Sequence, residues 1–175
     1  MHTTDERELI RHAQQRDAEA FTELYRRHVD RIYRYMLLRV SDEAVAEDLT
    51  SEVFVRALES LSAYEDRGAP FAAWLYRIAH ARVVDFWRRA QRTEISLDVE
   101  EFELHADMPT GDVIAYKILA ESLRKLTDEQ QTVIILRFVE GYRAAEVAQI
   151  TGRTEGAVKS LQHRALAALA RLMES

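Results

Sequence analysis

The segment SAYEDRGAPFAAWLYRIAHARVVDFWRRAQR runs from Ser62 to Arg92 and joins a polar loop to a helical pattern. The loop, Ser62 to Pro70, is rich in turn-forming residues, and Pro70 suits the first turn of a helix. From Phe71 onward, apolar residues recur at helical spacing and arginines collect towards the C-terminal end. The segment therefore predicts a loop that leads into a long amphipathic helix.

Two interpretations of this helix differ in what its aromatic side chains do. Phe71, Trp74 and Ile78 form a stripe of the kind that usually packs in a hydrophobic core. Alternatively, aromatic rings stack on unpaired bases while arginines hold phosphates, and a flexible loop ahead of them captures a single strand. The stripe alone favours core packing, so the remainder of the chain has to decide the question.

The composition predicts a helical protein without cysteine chemistry. The 175 residues include only 5 Gly and 2 Pro, which favours helices over a turn-rich β fold. The absence of cysteine excludes disulfides and thiolate metal sites and agrees with a reducing cytoplasm. The 6 histidines have no ligand spacing, so we expect no metal. No signal peptide or membrane-spanning apolar run is evident, and we expect a cytoplasmic protein without membrane insertion.

The distribution of charge limits how the chain meets nucleic acid. Its net charge of −6 argues against binding DNA by bulk electrostatics, because domains that do so are usually basic. Basic residues must then be concentrated locally, or a partner must supply most phosphate contacts. Acidic residues collect at 93–111, where helical periodicity is weak, and this segment is predicted to be a linker.

Apolar periodicity divides the chain into two helical parts. Residues 1–92 contain four helical patterns, the first opened by the capping-box pair Thr3 and Glu6 and the second by Asp17 as its cap. Residues 112–175 contain a second set of helical patterns after the linker, one of them opened by Thr127 and Gln130 at the same capping-box spacing. The predicted fold is therefore all-α, with two small helical domains joined by an acidic linker.

The third helical pattern, about Glu43 to Leu61, begins with acidic residues. Acidic residues in a first turn complement the helix dipole, and that interpretation is favoured for the cluster taken alone. The alternative is a docking face for a basic partner. The apolar positions expected to be buried in this helix are Leu49, Val53, Phe54, Ala57 and Leu58.

The segment from Arg143 to Ala168 has the layout of a helix-turn-helix. A short helix precedes a turn at Gly152, and Thr154 is placed to cap the second helix. In such a motif the early polar residues of the second helix meet base edges and phosphates in the major groove. A plain helical bundle is the alternative. The polar residues on the expected reading face are Lys159, Ser160, His163 and Arg164.

Motifs spread over nearly the whole chain, in a consistent order, carry a resemblance to a known family. They are AFTELY at 20–25, AEDLTSEVF at 46–54, PFAAWLYRIA at 70–79 and EGAVKS at 155–160. Together they resemble the bacterial extracytoplasmic-function (ECF) sigma factors of the sigma-70 family. The second motif looks like the helix that binds core RNA polymerase, and the third like the helix used in promoter melting. The fourth looks like part of the C-terminal DNA-binding domain.

The resemblance implies a function and a separate binding role for each of the two domains. Such a protein binds core RNA polymerase, directs it to promoters and helps to melt them, with no catalytic residues, cofactor or metal of its own. Residues 1–92 are then a region 2-like domain for core polymerase and the −10 element, and residues 112–175 a region 4-like domain for the −35 element. The implied partners are the clamp of the largest polymerase subunit, the flap of the second largest, promoter DNA and an anti-sigma factor. The acidic linker is implied to thread through the polymerase cleft.

The resemblance also implies site residues. Those for core polymerase are Asp48, Leu49, Ser51, Glu52 and Phe54. Those for the −10 element are Tyr64, Glu65, Asp66, Arg67 and Gly68 of the loop, with Arg77, Arg82, Arg88 and Arg89 of the following helix. Those for the −35 element are Arg153, Thr154, Glu155, Lys159, Ser160, His163 and Arg164.

A few positions depart from the pattern of the family. Members usually have Gln at the place of Ser51, Asn at the place of Ala81, and Arg where this chain has Leu161 and Leu166. Ala81 lacks the base-edge hydrogen bond of the family, so the −10 preference is expected to differ. Fewer charges at 161 and 166 predict a shallower salt dependence of DNA binding, and Leu161 has the option of facing the hydrophobic core.

Two other classes of function compete with this one. A stand-alone helix-turn-helix transcriptional regulator would use only the C-terminal motif, and leaves the 46–54 helix and the aromatic loop unexplained. An interaction module with degenerate DNA-binding surfaces is suggested only by Ala81, Leu161 and Leu166. An enzyme has no support in the pattern of residues.

Overall fold

The computed structural model describes residues 5–93 and 118–174, and within these ranges the chain is helical with no strand. The first domain consists of α1 (Glu6–Gln14), α2 (Ala18–Val40), α3 (Glu43–Ser60), a 3-10 turn (Leu61–Ala63) and α4 (Phe71–Thr93). The second consists of the helical residues 118–124 (α5), α6 (Asp128–Ile134), a π-helical segment (Ile135–Val139), α7 (Ala144–Thr151) and α8 (Glu155–Met173). The all-α prediction is confirmed. Apart from Thr93, the expected linker at 93–111 lies outside the described residues.

Side-chain caps explain where several helices begin. Asp17 accepts hydrogen bonds from the backbone of Glu19 and Ala20 at 3.0 and 3.3 Å and starts α2. Thr127 and Gln130 form the reciprocal capping box of α6. These two caps are as predicted. The first helix differs, because its cap is Asp5, while Thr3 lies outside the described residues.

The hydrophobic core of the first domain lies around α2, which packs against α1, α3 and α4. Tyr35 and Met36 of α2 are fully buried, as are Tyr76 and Val83 of α4. The rings of Tyr35 and Tyr76 meet edge-to-face with centroids 5.5 Å apart. Burial of such side chains contributes roughly 1.5–3 kcal/mol each to the stability of the fold. This crossing therefore fixes the position of α4 and of the loop that precedes it.

The prediction that Leu58 is buried is wrong. Its side chain is 56% exposed, and the neighbouring Val55 is 55% exposed. The buried face of α3 is narrow because α2 and α4 provide most of its cover, and it includes Val53 and Ala57. Leu58 lies about 100° further round the helix than Ala57 and falls outside that face.

The two domains contact each other through a buried arginine. The Arg39 guanidinium of α2, 3% exposed, donates to Gln131 Oε1 at 2.9 Å and to Asp128 Oδ1 at 3.3 Å. Both acceptors lie on α6, in the second domain. Arg124 adds a hydrogen bond to the hydroxyl of Ser41 at 3.1 Å. A buried guanidinium depends on such partners, so the relative position of the domains decides whether Arg39 is satisfied.

A second group of contacts buries a carboxylate at the same boundary. The Glu140 side chain is 2% exposed and lies 4.0 Å from Arg34 Nη2. Tyr142 packs edge-to-face on Tyr76, with ring centroids 5.4 Å apart. Burial raises the pKa of Tyr76, the nearby Glu140 carboxylate adds to the shift, and burial raises the pKa of Tyr142 to about 12. Both phenols therefore stay protonated at neutral pH.

His80 of α4 lies beside these contacts and is held neutral. Burial lowers its pKa to about 4, and the cations of Arg39 and Arg153 act in the same direction. In the unfolded chain the imidazole takes up its proton near the ordinary histidine pKa of 6.5, so protonation favours unfolding between these two values. His80 thus makes the contact region sensitive to acid.

We expect the free energy of unfolding to fall as the pH drops from about 6.5 towards about 4, and His80→Gln to remove part of that fall. The difference between wild type and variant should reach the order of 3 kcal/mol at the acid end, from about 1.36 kcal/mol per pKa unit. Urea unfolding measured across this pH range checks it. His163→Gln, at an exposed position, is the control. Parallel pH profiles for wild type and His80→Gln would contradict the prediction.

Candidate nucleic-acid and partner-binding surfaces

The loop ahead of α4 rests on an aromatic cluster of Tyr64, Phe71 and Trp74. The Tyr64 ring lies 5.3 Å from that of Phe71 and 5.0 Å from that of Trp74, centroid to centroid. Phe71 is buried at 4% exposure, and Trp74 is partly buried. The cluster is thus a platform under the loop, as core packing of the stripe predicted. Tyr64, at its edge, is half-buried, and burial raises the pKa of its hydroxyl.

Glu65 to Gly68 of the loop are exposed and follow a defined turn. Asp66 Oδ1 accepts a hydrogen bond from the backbone of Gly68 at 2.9 Å. Gly68 has a φ of +89°, which side-chain-bearing residues rarely adopt. Arg67 pairs with Glu65 at 3.3 Å in solvent. The turn therefore presents Glu65 to Gly68 at the surface while Tyr64 stays on the platform.

The arginines of α4 differ in how available they are. Arg77, Arg88 and Arg89 are exposed. Arg82 is only 17% exposed and its guanidinium is 3.0 Å from the Asp85 carboxylate. A phosphate would have to compete with Asp85 for Arg82, so the exposed arginines are the better anion contacts. Ala81 is exposed and offers no hydrogen bond from its side chain.

The residues of α3 that were predicted to bind core polymerase fall into two groups, exposed and buried. Asp48, Ser51 and Glu52 are exposed. Leu49 and Phe54 are each 6% exposed, and the Phe54 ring contacts that of Tyr25 at 4.8 Å. Little of Leu49 and Phe54 is left for a partner, so these two hold the helix in place rather than form its outer surface.

Exposed apolar side chains extend the acidic surface of α3, and the sequence reasoning missed them. Val55 and Leu58 follow Ser51 at spacings of four and seven residues and are 55% and 56% exposed. This spacing places them on one side of the helix, beside Glu52. The helical period of the sequence already places Val55 and Leu58 on the same side of α3 as Ser51. To recognise that this side is exposed, one also needs the width of the buried face, which depends on the packing of neighbouring helices.

The helix-turn-helix is formed by α7, a turn at 152–154 and α8. Gly152 takes a left-handed φ of +71°, and Thr154 caps α8 by accepting a hydrogen bond from Ala157 at 3.1 Å. Val158 and Leu161 are buried, so Leu161 faces the hydrophobic core, not DNA. The residues that remain exposed on this surface are Arg153, Thr154, Glu155, Lys159, Ser160, His163 and Arg164.

Two cations of this surface are already paired with carboxylates. Lys159 Nζ is 3.2 Å from Glu155, and Arg153 makes a short ion pair with Glu129. Arg164 instead donates to the backbone carbonyl of Ser160 at 3.4 Å. Phosphates must compete with these carboxylates, which reduces the electrostatic gain of binding DNA.

A cavity of about 310 Å³ lies between the loop and the helix-turn-helix. Tyr64, Trp74 and Arg77 line it from the first domain, and Gln149 and Gly152 from the second. The second domain therefore stands directly over the approach to the aromatic cluster.

The described part of the chain offers neither a metal site nor a membrane span. Within 5–93 and 118–174, no three His, Asp or Glu side chains come together as a metal site requires. Over the same ranges, every helix is too short or too polar to span a bilayer.

Comparison with known proteins relates both domains to one family. Residues 24–93 match the Sigma-70 region 2 family and residues 116–169 match the Sigma-70 region 4 family. The ECF RNA polymerase sigma factor BldN of Streptomyces coelicolor is 39% identical over 95% of this chain, which spans 65% of BldN. The ECF sigma factor SigX of Bacillus subtilis is 30% identical over 89% of this chain and 84% of its own length.

Solved structures agree with the sequence matches. CnrH, in its complex with the cytosolic domain of CnrY, is 25% identical with a TM-score of 0.75 over 97% of each chain. The sigma factor RpoE of Bartonella quintana, in complex with the anti-sigma factor NepR, shares the fold with a TM-score of 0.74 at 24% identity. That match covers 90% of this chain and 98% of RpoE. This chain belongs to the extracytoplasmic-function RNA polymerase sigma factors of the sigma-70 family.

Proposed function

We propose that this chain binds core RNA polymerase, directs it to promoters and takes part in melting them. The first domain, residues 1–92, is assigned to core polymerase and the −10 element, and the second, residues 112–175, to the −35 element. The observation that carries the proposal is an exposed loop on an aromatic platform in the same chain as a helix-turn-helix. A stand-alone regulator would need only the second of these features.

At the −10 element, the loop from Tyr64 to Gly68 receives a base that leaves the duplex. Extruding a base costs a few kcal/mol of stacking, and stacking on an aromatic side chain offsets about 1–3 kcal/mol. Tyr64 is half-buried with its ring against Trp74, and this supports assigning the stacking contact to it. Arg77, Arg88 and Arg89 hold phosphates of the strand, and Arg82 contributes after releasing Asp85.

Core polymerase binds the exposed side of α3. Asp48 and Glu52 supply negative charge for a basic partner, and Val55 and Leu58 supply apolar contact area beside them. An interface centre that combines apolar residues with a few charges at its rim is the usual arrangement of a specific contact. The partner surface is the clamp of the largest polymerase subunit, and the flap of the second largest contacts the second domain.

At the −35 element, the outer face of α8 enters the major groove. Lys159, Ser160, His163 and Arg164 are exposed on one side while Val158 and Leu161 anchor the helix from the other. Base edges are read by such polar side chains, and Arg153 and Thr154 at the turn are positioned for the phosphate backbone.

An anti-sigma factor as partner and a cytoplasmic location are proposed from similarity to relatives. CnrH and RpoE were each solved with a partner, the cytosolic domain of CnrY and the anti-sigma factor NepR. By this likeness, an anti-sigma factor holds this chain as well. The polymerase supplies the chemistry of RNA synthesis, so the chain is a dissociable factor and not an enzyme. It acts where the polymerase does, in the cytoplasm.

Run-off transcription with purified core polymerase and a promoter library tests the proposal. Promoter-specific products that depend on this chain support it. Absence of any specific initiation would exclude it, and protection of a duplex operator without polymerase would support a stand-alone regulator.

For core binding, Glu52→Arg should lower the affinity for core polymerase at least about 10-fold, because it opposes a basic partner with a cation. Fluorescence anisotropy of labelled protein with core polymerase measures this. Asp30→Arg makes the same charge change at an exposed position of α2 and should leave the affinity unchanged. Equal losses for the two variants would contradict a specific role of α3.

For promoter melting, Tyr64→Ala should slow open-complex formation roughly 10-fold while closed-complex affinity changes little, because the ring acts only on the extruded base. Tyr64→Phe keeps the ring and should retain most of the rate. Stopped-flow fluorescence of a base analogue in the −10 element gives the rate. If both steps slow equally, Tyr64 has no special part in melting.

For the −35 element, Arg164→Ala should weaken initiation from −35-dependent promoters about 10-fold. Arg171→Ala removes an exposed cation from the last turn of α8 and serves as the control. Titration of holoenzyme on promoters with intact and mutated −35 elements provides the measurement. Unchanged discrimination between the two promoters would remove Arg164 from the reading face.

A further inference from the structure

Helix α1 reaches the −10 loop although it lies ahead of residues 24–93, which match region 2. The Gln14 side-chain amide donates to the carbonyl of Leu61 at 3.0 Å and to that of Tyr64 at 2.9 Å. Arg7, two turns earlier on the same side of α1, lies 3.3 Å from the Asp66 carboxylate. The N-terminal helix thus contacts both the start and the tip of the loop.

The helix is a fixed support and not a loose tail. Leu9, Ile10 and Ala13 are buried at 6–8% exposure, and α1 packs mainly on α2. The Glu6 carboxylate also pairs with the buried His28 of α2. A side chain carried by α1 is therefore held in register with the hydrophobic core.

Gln14 fixes the point where the chain leaves the 3-10 turn. The carbonyl of Leu61 already accepts a hydrogen bond from the backbone N–H of Tyr64 at 3.1 Å. By bridging this carbonyl and that of Tyr64, a single amide group joins the first residue of the turn to the first residue of the loop. Only the NH₂ of the side chain can serve both acceptors, so a carboxylate at this position would repel them.

The same helix supports the Tyr64 ring from below. Glu6 contacts His28, whose ring meets Phe71 edge-to-face at 5.5 Å, and Phe71 meets Tyr64 at 5.3 Å. Backbone and ring of Tyr64 are therefore both tied to α1, by separate routes.

We propose that Gln14 is a positioning residue for promoter melting, which acts through Tyr64, and that α1 belongs to the −10 apparatus. Holding the loop in its binding conformation before a base arrives lowers the ordering cost of binding. Without the amide, the Tyr64 backbone has more conformational freedom, and its ring is less often in position to stack on the extruded base. This inference rests on the proposed function and adds a residue outside the matched region.

The test compares Gln14→Glu and Gln14→Met with Gln15→Glu, which makes the same charge change at the exposed next position. Holoenzyme with either Gln14 variant should form open complexes about 10-fold more slowly on duplex promoters, on the order expected for two hydrogen bonds. It should also discriminate less between bases at the extruded position. Affinities for core polymerase and for −35 duplex should stay within about 2-fold of wild type, as should all properties of Gln15→Glu.

A double variant separates positioning from general stability. If Gln14 acts through Tyr64, Gln14→Met combined with Tyr64→Ala should be no slower than Tyr64→Ala alone. Multiplying effects, unchanged base discrimination, or an equal loss of −35 affinity would overturn the inference. Lack of promoter-specific initiation by the wild-type chain would instead overturn the proposed function, so the two failures are distinguishable.

Discussion

The contact between Tyr35 and Tyr76 is the constraint on which the rest of the structure depends. It lies where α2 crosses α4, and both side chains are completely buried. The N-terminal end of α4 then carries the aromatic cluster, and the exposed side carries the arginines. The Tyr76 ring also receives Tyr142 of the second domain. One crossing therefore sets the positions of the loop platform, of the α4 arginines and of the docked helix-turn-helix.

Local chemistry in the sequence was enough to predict much of this. Asp17, Thr127 and Thr154 were identified as caps because a cap and its helix lie within four residues of each other. The aromatic stripe was correctly assigned to packing, since its period matches the helix. The turn predicted at Gly152 is present, and its left-handed φ of +71° is one that glycine adopts readily.

Contacts between residues far apart in sequence were beyond such reasoning. The two hydrogen bonds donated by Gln14 join residues 47 and 50 positions apart in the sequence, and the bond from Arg39 to Gln131 joins residues 92 positions apart. Both donors look like ordinary surface polar residues of an amphipathic helix until the partner helix is in place. Leu58 shows the same limit, because periodicity gives the direction of a side chain but not how far neighbouring helices extend over it.

The docking of the two domains has a thermodynamic consequence for promoter binding. Tyr64 of the proposed −10 loop and Gly152 of the helix-turn-helix line the same cavity, whereas B-form DNA at about 3.4 Å per base pair extends on the order of 85 Å from −35 to −10. With the proposed assignment of the two surfaces, the docked chain does not span both elements, and the Arg39 and Glu140 contacts have to open before both are bound. On that assignment the contacts compete with DNA, and the apparent affinity for the promoter is the intrinsic affinity reduced by the fraction of chains in which they are open. Promoter strength is thereby adjustable at residues that never touch DNA.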